Sequence, residues 1–443
     1  MTFRVLHTSD WHLGQYFYGK SRANEHQRFI NWLVEQVKQQ QIDAVIVAGD
    51  IFDTGTPPSY ARELYFDVII KLQKLKCQLI ILAGNHDSVA MLTEAKHLLS
   101  QMSCRVIASA NDLSDERYND DETASNTEQL IELKNKAGEL GAVVCAVPFI
   151  RPRDLILSQA GQSAQEKQQS LHLAITDHYQ QLFEQAKKIT KNNAPIIATG
   201  HLTTVGVTTS DSVRDIYIGT LEAFNANAFP SFDYIALGHI HKSQKVAKTE
   251  HIRYSGSPIP LSFDEATQTK SVLITEFEQA KLTNVRSLAI PCFQPLVMIK
   301  SKIDELEEQI TTAINTITSI QRVDEKQQTI WLDIEINSAE YLQDLTLRIG
   351  EITQAFPVEV LLVRRAKASR RKMVESENKV TLNELSLTDV FETRLAGESW
   401  QTEDELARKE RLKGLFLQVV EQVEHGSSKG NVPEVAAKSG EKL

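Results

Sequence analysis

Residues 235–241 read IALGHIH: an apolar run, a glycine, and two histidines separated by one isoleucine. A short apolar run that ends at a glycine is typical of a buried strand followed by a sharp turn. Residues two apart in an extended segment point the same way, so His239 and His241 can face one cleft while Ile240 packs into the core. The stretch therefore favours either a metal site or, more simply, a turn or a pair of core histidines.

Four other predicted strands end in the same manner. Each closes with a small residue or a glycine, followed by a carboxylate, amide or imidazole side chain: HTSDWH (7–12), VAGDIFD (47–53), LAGNHD (82–87) and ATGH (198–201). Taken singly, such endings are common as turns or helix caps. Ligands of open α/β sheets bind at the carboxyl ends of the strands, so five endings of this kind predict one shared site at one edge.

The ligand types narrow the chemistry of that site. Carboxylate, amide oxygen and imidazole without thiolate suit manganese, iron or zinc in a hydrolytic centre better than structural zinc. One carboxylate can bridge two cations about 3.5–4 Å apart, an arrangement that suits in-line displacement at phosphorus. The predicted reaction class is phosphoester hydrolysis.

Composition limits the class of protein. The chain has 443 residues, enough for two or three domains, and its 42% hydrophobic and 24% charged residues are typical of a globular protein. Neither a membrane-spanning run nor a signal peptide is recognisable, so we expect a cytoplasmic protein with no membrane partner. The formal charge of −10 argues against a broad basic surface for nucleic acid, but it allows a local basic track or a metal site.

The order of patterns predicts an α/β protein with several parts. Residues 1–280 alternate apolar β-rich runs with helical patterns, which indicates a layered α/β domain. Residues 290–366 follow the order β-α-β-α-β and are interpreted as a smaller second domain. The polar, acidic stretch 109–139 is expected to be an exposed excursion rather than core.

The C-terminal region is predicted to hold helices between polar segments. A basic linker (367–385) follows the run RRAKASRRK (364–372), and it is either a DNA-facing track or a solvated linker. Helical patterns fill 386–425, and an apolar stripe from Leu412 to Val423 suits either a partner's groove or packing on its own domain. The tail, 426–443, has a disordered composition.

The ordered set DxH, GDxxD, GNHD, GH and GHxH across residues 10–241 resembles the calcineurin-like metallophosphoesterase superfamily. The resemblance implies a layered β-sandwich flanked by helices and a centre for two divalent cations. One cation would be held by Asp10, His12, Asp50 and His241. The second would be held by Asp50, Asn85, His201 and His239, with Asp50 as the bridge.

The same resemblance implies roles for three further residues. His86 would be the catalytic histidine, which protonates the leaving oxygen or stabilises the transition state. Asp53 and Asp87 would orient the metal ligands, although turn or capping roles for these two stay open.

Longer stretches closely resemble one family within the superfamily. They are TSDWHLGQ (8–15), GDIFDTGTPPSYAR (49–62), SDSVRDIYIGTLEAF (210–224) and RYSGSPIPLSFDE (253–265), and they are similar to the nuclease D subunits of bacterial SbcCD exonucleases. That family implies a manganese-dependent DNA nuclease, exonucleolytic on duplex ends and endonucleolytic on single strands and hairpins. It also implies a DNA-capping role for 290–366, an SbcC-type ATPase partner with a long coiled coil, and a homodimer within a heterotetramer.

Three arginines in loops similar to those of the family, Arg151, Arg153 and Arg214, are candidate phosphate contacts, with solvated loop charges as the alternative. Two other functions stay open from the sequence alone. One is a phosphoprotein phosphatase or small-molecule phosphodiesterase of the same superfamily, and the other is a non-catalytic scaffold.

Overall fold

A computed structural model describes residues 2–110, 127–155, 163–210, 212–213, 223–320, 329–337, 345–365 and 411–412. The chain divides into two compact units, Met1–Ala366 and Lys367–Leu443. In the second unit the structure describes Arg411 and Leu412, both helical. The predicted linker, C-terminal helices and tail otherwise lie outside the described residues.

Two six-stranded sheets form the larger part of the first unit. The first sheet runs in the spatial order β14 (Lys281–Ala289), β13 (Ser271–Glu278), β1 (Phe3–Thr8), β4 (Ala44–Ala48), β5 (Gln78–Leu82) and β6 (Cys104–Ile107). The second runs in the order β11 (Gln244–Lys245), β12 (Ile252–Tyr254), β10 (Tyr234–Gly238), β9 (Ile196–His201), β8 (Leu140–Cys145) and β7 (Leu130–Lys134). The central strands of each sheet are parallel, and antiparallel strands complete the edges.

The alternation of side chains along each strand explains the sandwich. In β4 (AVIVA), Val45 and Val47 pack under the helices, whereas Ile46 faces the second sheet. A strand that is apolar on both faces can be buried on both faces, as in layered α/β proteins. The predicted β-sandwich flanked by helices is confirmed.

Helices cover the outer face of each sheet. Those of this region are α1 (Ala23–Gln39), α2 (Ser59–Lys74), α3 (Val89–Thr93), α4 (Lys96–Gln101), α5 (Pro152–Leu155) and α6 (Ala164–Thr190). In α6, Ile175, Tyr179 and Leu182 recur at helical spacing and pack on the second sheet. Among the described residues, no helix has the length and hydropathy needed to span a membrane.

The prediction of an exposed excursion at 109–139 is wrong for its last part. Residues 130–134 (LIELK) form the edge strand β7, with Ile131 and Leu133 buried. The segment alternates apolar and polar residues, so one face joins the core although the composition is polar. Residues 111–126 lie outside the described residues.

A third sheet follows the sandwich in sequence and has the predicted order β-α-β-α-β. Its parallel strands are β15 (Leu296–Ser301), β16 (Ile330–Ile336) and β17 (Val358–Arg365), and its helices are α7 (Leu306–Ile320) and α8 (Leu345–Thr353). A two-stranded hairpin of β2 (Tyr16–Phe17) and β3 (Lys20–Ser21) contacts it, because Phe17 stacks on Trp331 at a ring-centroid distance of 5.8 Å. Contacts group this sheet with the sandwich in the first unit, and the division between 280 and 290 stays a prediction.

Candidate metal centre

The ends of five parallel strands carry the predicted site residues. Asp10 and His12 follow β1, Asp50 follows β4, Asn85 and His86 follow β5, His201 ends β9, and His239 and His241 follow β10. The first three strands belong to the first sheet and the last two to the second. One site therefore forms where the edges of two sheets meet, rather than at the edge of the single open sheet that the sequence suggested.

Unusual backbone conformations aim these side chains at one another. The φ angles of Asp10, His12, Asp50 and His239 are 54°, 46°, 50° and 93°, in the left-handed region that non-glycine residues seldom adopt. Each such residue costs about 1–3 kcal/mol unless its surroundings hold it in place. Asp10 N donates to Gly49 O at 3.0 Å and His12 N donates to Asp50 O at 3.1 Å, so the two loops hold each other.

The first group of ligand atoms belongs to Asp10, His12 and His241, all buried and within 4.8 Å of one another. Backbone N–H of His239 donates to both carboxylate oxygens of Asp10, at 2.9 and 3.2 Å. Nδ1 of His12 donates to Asp53 Oδ1 at 3.2 Å, which leaves its Nε2 with a lone pair. That Nε2 is buried and has no hydrogen-bond partner among the described residues.

The second group contains Asp50, His201 and His239, again within 4.8 Å. Nδ1 of His201 lies 2.9 Å from the carbonyl oxygen of Ala48, and since a carbonyl only accepts, this nitrogen carries the hydrogen. Nε2 of the neutral ring then faces Asn85 Oδ1 at 3.0 Å and Asp50 Oδ2 at 3.3 Å, so three acceptors point at one another. A cation satisfies all three, and the buried Nε2 of His239, without a partner in the described part of the chain, offers a further ligand atom.

Electrostatics agree with this fit. Burial alone would lower the pKa of His201, but the Asp50 carboxylate raises it to about 9. Burial would raise the pKa of Asp50, yet His201 and His12 hold it well below its ordinary value. The pKa of His239 is well below normal because of burial and the nearby His201. The cluster thus gathers ionised carboxylate and keeps positive charge close to it, so divalent cations are a chemically suitable counter-charge.

His86 lies at the mouth of the centre and is half-buried. Its Nδ1 donates to the carbonyl oxygen of Asp53 at 2.8 Å, and its backbone N–H donates to Asp50 Oδ1 at 2.9 Å. Its ring lies edge-on to that of His12, with 4.7 Å between the centroids. The ring is therefore fixed through Nδ1, which leaves Nε2 for proton transfer.

Asp53 and Asp87 contact the loops that carry the ligands. Asp53 accepts from His12, as described above. The Asp87 carboxylate accepts from the backbone N–H groups of Ile51, Phe52 and Gly84 at 3.1, 2.9 and 2.8 Å. Burial and the nearby Asp50 raise the pKa of Asp87 to about 6. Both carboxylates thus touch groups adjoining the ligands, as residues that orient them would.

The three candidate arginines have different positions. Arg151 is half-buried, donates from Nη2 to Asp87 O at 3.3 Å, and lies 5.5 Å from the Phe149 ring centroid. Its Nη1 is buried without a hydrogen-bond partner among the described residues. Arg153 is exposed on the short helix α5, and Arg214 lies outside the described residues.

Sequence reasoning missed a buried polar group behind His241. Ser212 Oγ lies 2.6 Å from His241 Nδ1, and Lys270 Nζ lies 2.6 Å from Glu265 Oε2. Burial would raise the pKa of Glu265, but His241 and Lys270 hold it well below the ordinary value. A glutamate and a lysine five positions apart have the composition of a surface segment, so the sequence carries no signal of their burial.

Comparison with known proteins agrees with this geometry. The family described as calcineurin-like phosphoesterase matches residues 3–243, and a domain described as the type 5 capsule protein repressor C-terminal domain matches residues 292–399. The D subunit of the nuclease SbcCD from Escherichia coli (strain K12) is 48% identical over 93% of this chain and 96% of its own. Its namesake in Bacillus subtilis (strain 168) is 29% identical over 96% of this chain and 100% of its own.

A solved dimetal phosphatase from Danio rerio covers 65% of this chain and 98% of its own, at 12% identity and a TM-score of 0.35, which is too low to bear on the assignment. The two sequence relatives span almost their whole lengths, and the matching family covers more than half of the chain. The chain therefore belongs to the D-subunit family of SbcCD nucleases within the calcineurin-like phosphoesterases, and it is a metal-dependent nuclease subunit.

Proposed function

We propose that the chain hydrolyses DNA phosphodiesters, as an exonuclease on duplex ends and as an endonuclease on single strands and hairpins. The observation that carries the proposal is the buried convergence of seven ligand-type side chains with His86 at the mouth of the cleft. The 48% identical relative, itself named a nuclease, supports the substrate class. Nothing in the cleft favours the phosphoprotein phosphatase or small-molecule phosphodiesterase that the sequence left open.

The two proposed cation positions follow the two groups of ligand atoms. One would be held by Asp10, His12, Asp50 and His241. The other would be held by Asp50, Asn85, His201 and His239. Two divalent cations there would lower the pKa of a nucleophilic water and neutralise charge developing on the phosphate. The mixture of oxygen and imidazole ligands supports Mn²⁺ as the metal.

In this proposal the chain's own side chains perform the remaining steps. His86, held by Asp53 O at Nδ1, protonates the leaving oxygen from Nε2 and thus acts as general acid. Asp53 keeps the Nε2 lone pair of His12 toward the cleft, and Asp87 holds the loops after β4 and β5 together. Arg151, with one buried nitrogen unpaired among the described residues, is positioned beside Asp87 to contact a DNA phosphate. Arg153 and Arg214 are retained as weaker candidates.

Partner and assembly proposals rest on surfaces and on relatives. The name of the relatives supports an SbcC-type ATPase with a long coiled coil as the partner, bound through 386–425. Phe66 and Ile70, one turn apart on α2, and Leu98 on α4 are 40%, 41% and 66% exposed. Exposed apolar side chains on helices of the phosphoesterase domain support a homodimer, which would lie within a heterotetramer.

The domain organisation is proposed on the same basis. We propose that 1–280 is the nuclease domain, that the α/β layer 290–366 caps DNA, and that a basic linker (367–385) and a tail (426–443) flank the C-terminal helices. The separate apolar cluster of the third sheet, which includes Ile299, Ile310 and Ile334, supports an independently built capping layer. A cytoplasmic location stays a prediction from the sequence.

The test is a cleavage assay on hairpin and blunt-ended DNA with Mn²⁺ and the ATPase partner, comparing wild type with His86→Ala. We expect the variant to bind Mn²⁺ like wild type but to cut about 10²–10⁴-fold more slowly, the usual contribution of general acid catalysis. Undiminished cleavage by His86→Ala would remove that residue from the mechanism. Hydrolysis of an aryl phosphate by a preparation that leaves both DNAs intact would instead support the small-substrate alternative.

A further inference from the structure

The buried group behind His241 has a defined direction of hydrogen bonding. Glu265 is fully buried, and its Oε2 accepts from Lys270 Nζ at 2.6 Å and from the backbone N–H of Leu261 at 3.0 Å. Lys270 also donates to His241 O at 3.0 Å and to Ser257 Oγ at 2.9 Å. A buried ammonium at this distance requires an ionised carboxylate, because either charge alone would be expensive to bury. Glu265 can therefore only accept hydrogen bonds.

The other oxygen of Glu265 decides the orientation of Ser212. Oε1 accepts from Ser212 Oγ and, at 2.6 Å, from Ser210 Oγ. The single hydrogen of the Ser212 hydroxyl is thereby used on Glu265. Ser212 Oγ lies 2.6 Å from His241 Nδ1, and it can take part in that contact only as acceptor. Nδ1 of His241 must then carry the hydrogen, so the neutral ring has its lone pair on Nε2.

We propose that Glu265 is a positioning residue that acts through the Ser212 hydroxyl to present Nε2 of His241 to a divalent cation. The inference deepens the proposed function and rests on its assignment of His241 as a ligand. Metal-binding histidines generally need a partner on the second ring nitrogen to fix tautomer and ring orientation. His12 has Asp53 and His201 has the Ala48 carbonyl for this purpose, and the Glu265–Ser212 pair serves His241.

The same logic predicts that Glu265→Gln reverses the relay. The amide oxygen of the glutamine must face Lys270 and the Leu261 N–H, which turns its NH₂ group toward Ser212. That group donates to Ser212 Oγ, and the hydroxyl hydrogen turns to His241 Nδ1. The hydrogen of the ring then moves to Nε2 and blocks it. Glu265→Gln should therefore weaken metal binding more than Ser212→Ala, which merely removes the relay.

The experiment is calorimetric titration of the full chain with Mn²⁺, with folding of each variant checked by thermal unfolding. Wild type is expected to bind two ions, and His241→Ala is expected to lose one of them. At that position we expect about 10-fold weaker binding for Ser212→Ala and about 100-fold for Glu265→Gln, the range found for residues that orient metal ligands. The affinity of the other ion should stay within twofold. The double variant Glu265→Gln/Ser212→Ala should bind like Ser212→Ala alone, because the reversed donor is gone.

Matched controls separate positioning from packing. Ser212→Thr keeps the hydroxyl and should bind like wild type. Ser210→Ala removes a donor to the same Glu265 oxygen without touching His241, and it should also bind within twofold of wild type. Equal losses in Ser210→Ala and Ser212→Ala, or wild-type binding by Glu265→Gln, would overturn the inference while leaving the metal centre intact. Unchanged binding of both ions by His241→Ala would instead refute the ligand assignment in the proposed function.

Discussion

Gly84→Ala is the perturbation for which the structure gives the sharpest expectation. Gly84 ends the strand-turn segment LAG before Asn85, and it lies against the proposed bridging ligand Asp50. A Cβ built on Gly84 would lie 2.6 Å from Asp50 Cγ and closer still to the backbone nitrogen and Oδ1 of that residue. The backbone of Gly84 is not left-handed, so the effect of the alanine is one of space alone.

The size of the effect follows from that overlap. Carbon atoms in contact lie about 3.5–4.0 Å apart, so the added methyl group forces Asp50 or the turn itself to move by about 1 Å. Overpacking of this kind typically costs about 1–3 kcal/mol of stability, which a protein of this size can tolerate. A 1 Å displacement of a group in an active site can cost about 100-fold in rate. We therefore expect a folded protein with about 100-fold lower turnover.

The assay is Mn²⁺-dependent cleavage of hairpin DNA at several metal concentrations, with thermal unfolding measured on the same preparations. Gly55→Ala is the matched control, because its Cβ would meet Ser88 Cβ at 3.5 Å, an ordinary contact. The control should cut like wild type. A Gly84→Ala protein that is folded and cuts within threefold of wild type would refute the placement of Asp50 at the centre of the site.

Two further expectations follow from buried histidines. Asp53→Ala should weaken Mn²⁺ binding at the position of His12 by about 10–100-fold, whereas Asp53→Asn, which keeps an oxygen acceptor for Nδ1, should recover most of it in calorimetric titrations; equal losses in the two variants would contradict this role. Burial lowers the pKa of His7 from 6.5 to about 3, so the unfolded chain binds a proton more readily and the stability is full above pH 6.5 and lost as the pH falls toward 3. At pH 5 the loss from His7 is about 2 kcal/mol, and urea unfolding of metal-free wild type and His7→Asn should converge by that amount between pH 7 and pH 5; parallel profiles would be evidence against a neutral buried ring.

Local patterns were sufficient to predict most of the fold. The six strands expected from apolar runs in residues 3–238 and the two helices expected at Phe29–Val37 and in 59–75 all occur. So does the order β-α-β-α-β of the third sheet. These elements carry strong periodicity or end at a glycine, which is the information that a single sequence contains. The edge strand 130–134 was missed because its acidic neighbourhood outweighed a short alternating pattern.

The candidate site was predictable as a set of residues, but its construction was not. Strand ends with Asp, Asn and His could be read from the sequence, and the resemblance supplied their roles. That the strands belong to two sheets depends on pairings between distant segments, such as β9 with β10, which no local pattern encodes. The burial of Glu265 and Lys270 depends on the same distant packing, so their contact with His241 could not be anticipated.

The junction of the two sheets explains why glycines surround the metal ligands. Ala48 ends β4 in the first sheet, and its carbonyl oxygen accepts from His201 of the second. A Cβ on Gly238 would strike that same carbonyl, and one on Gly49 would strike the His201 ring. The sheets can therefore approach closely enough to share ligands only because these positions lack side chains. Since the ligands come from both sheets, cations bound between them will stabilise the packing of the sandwich, and metal affinity and fold stability are linked properties of this chain.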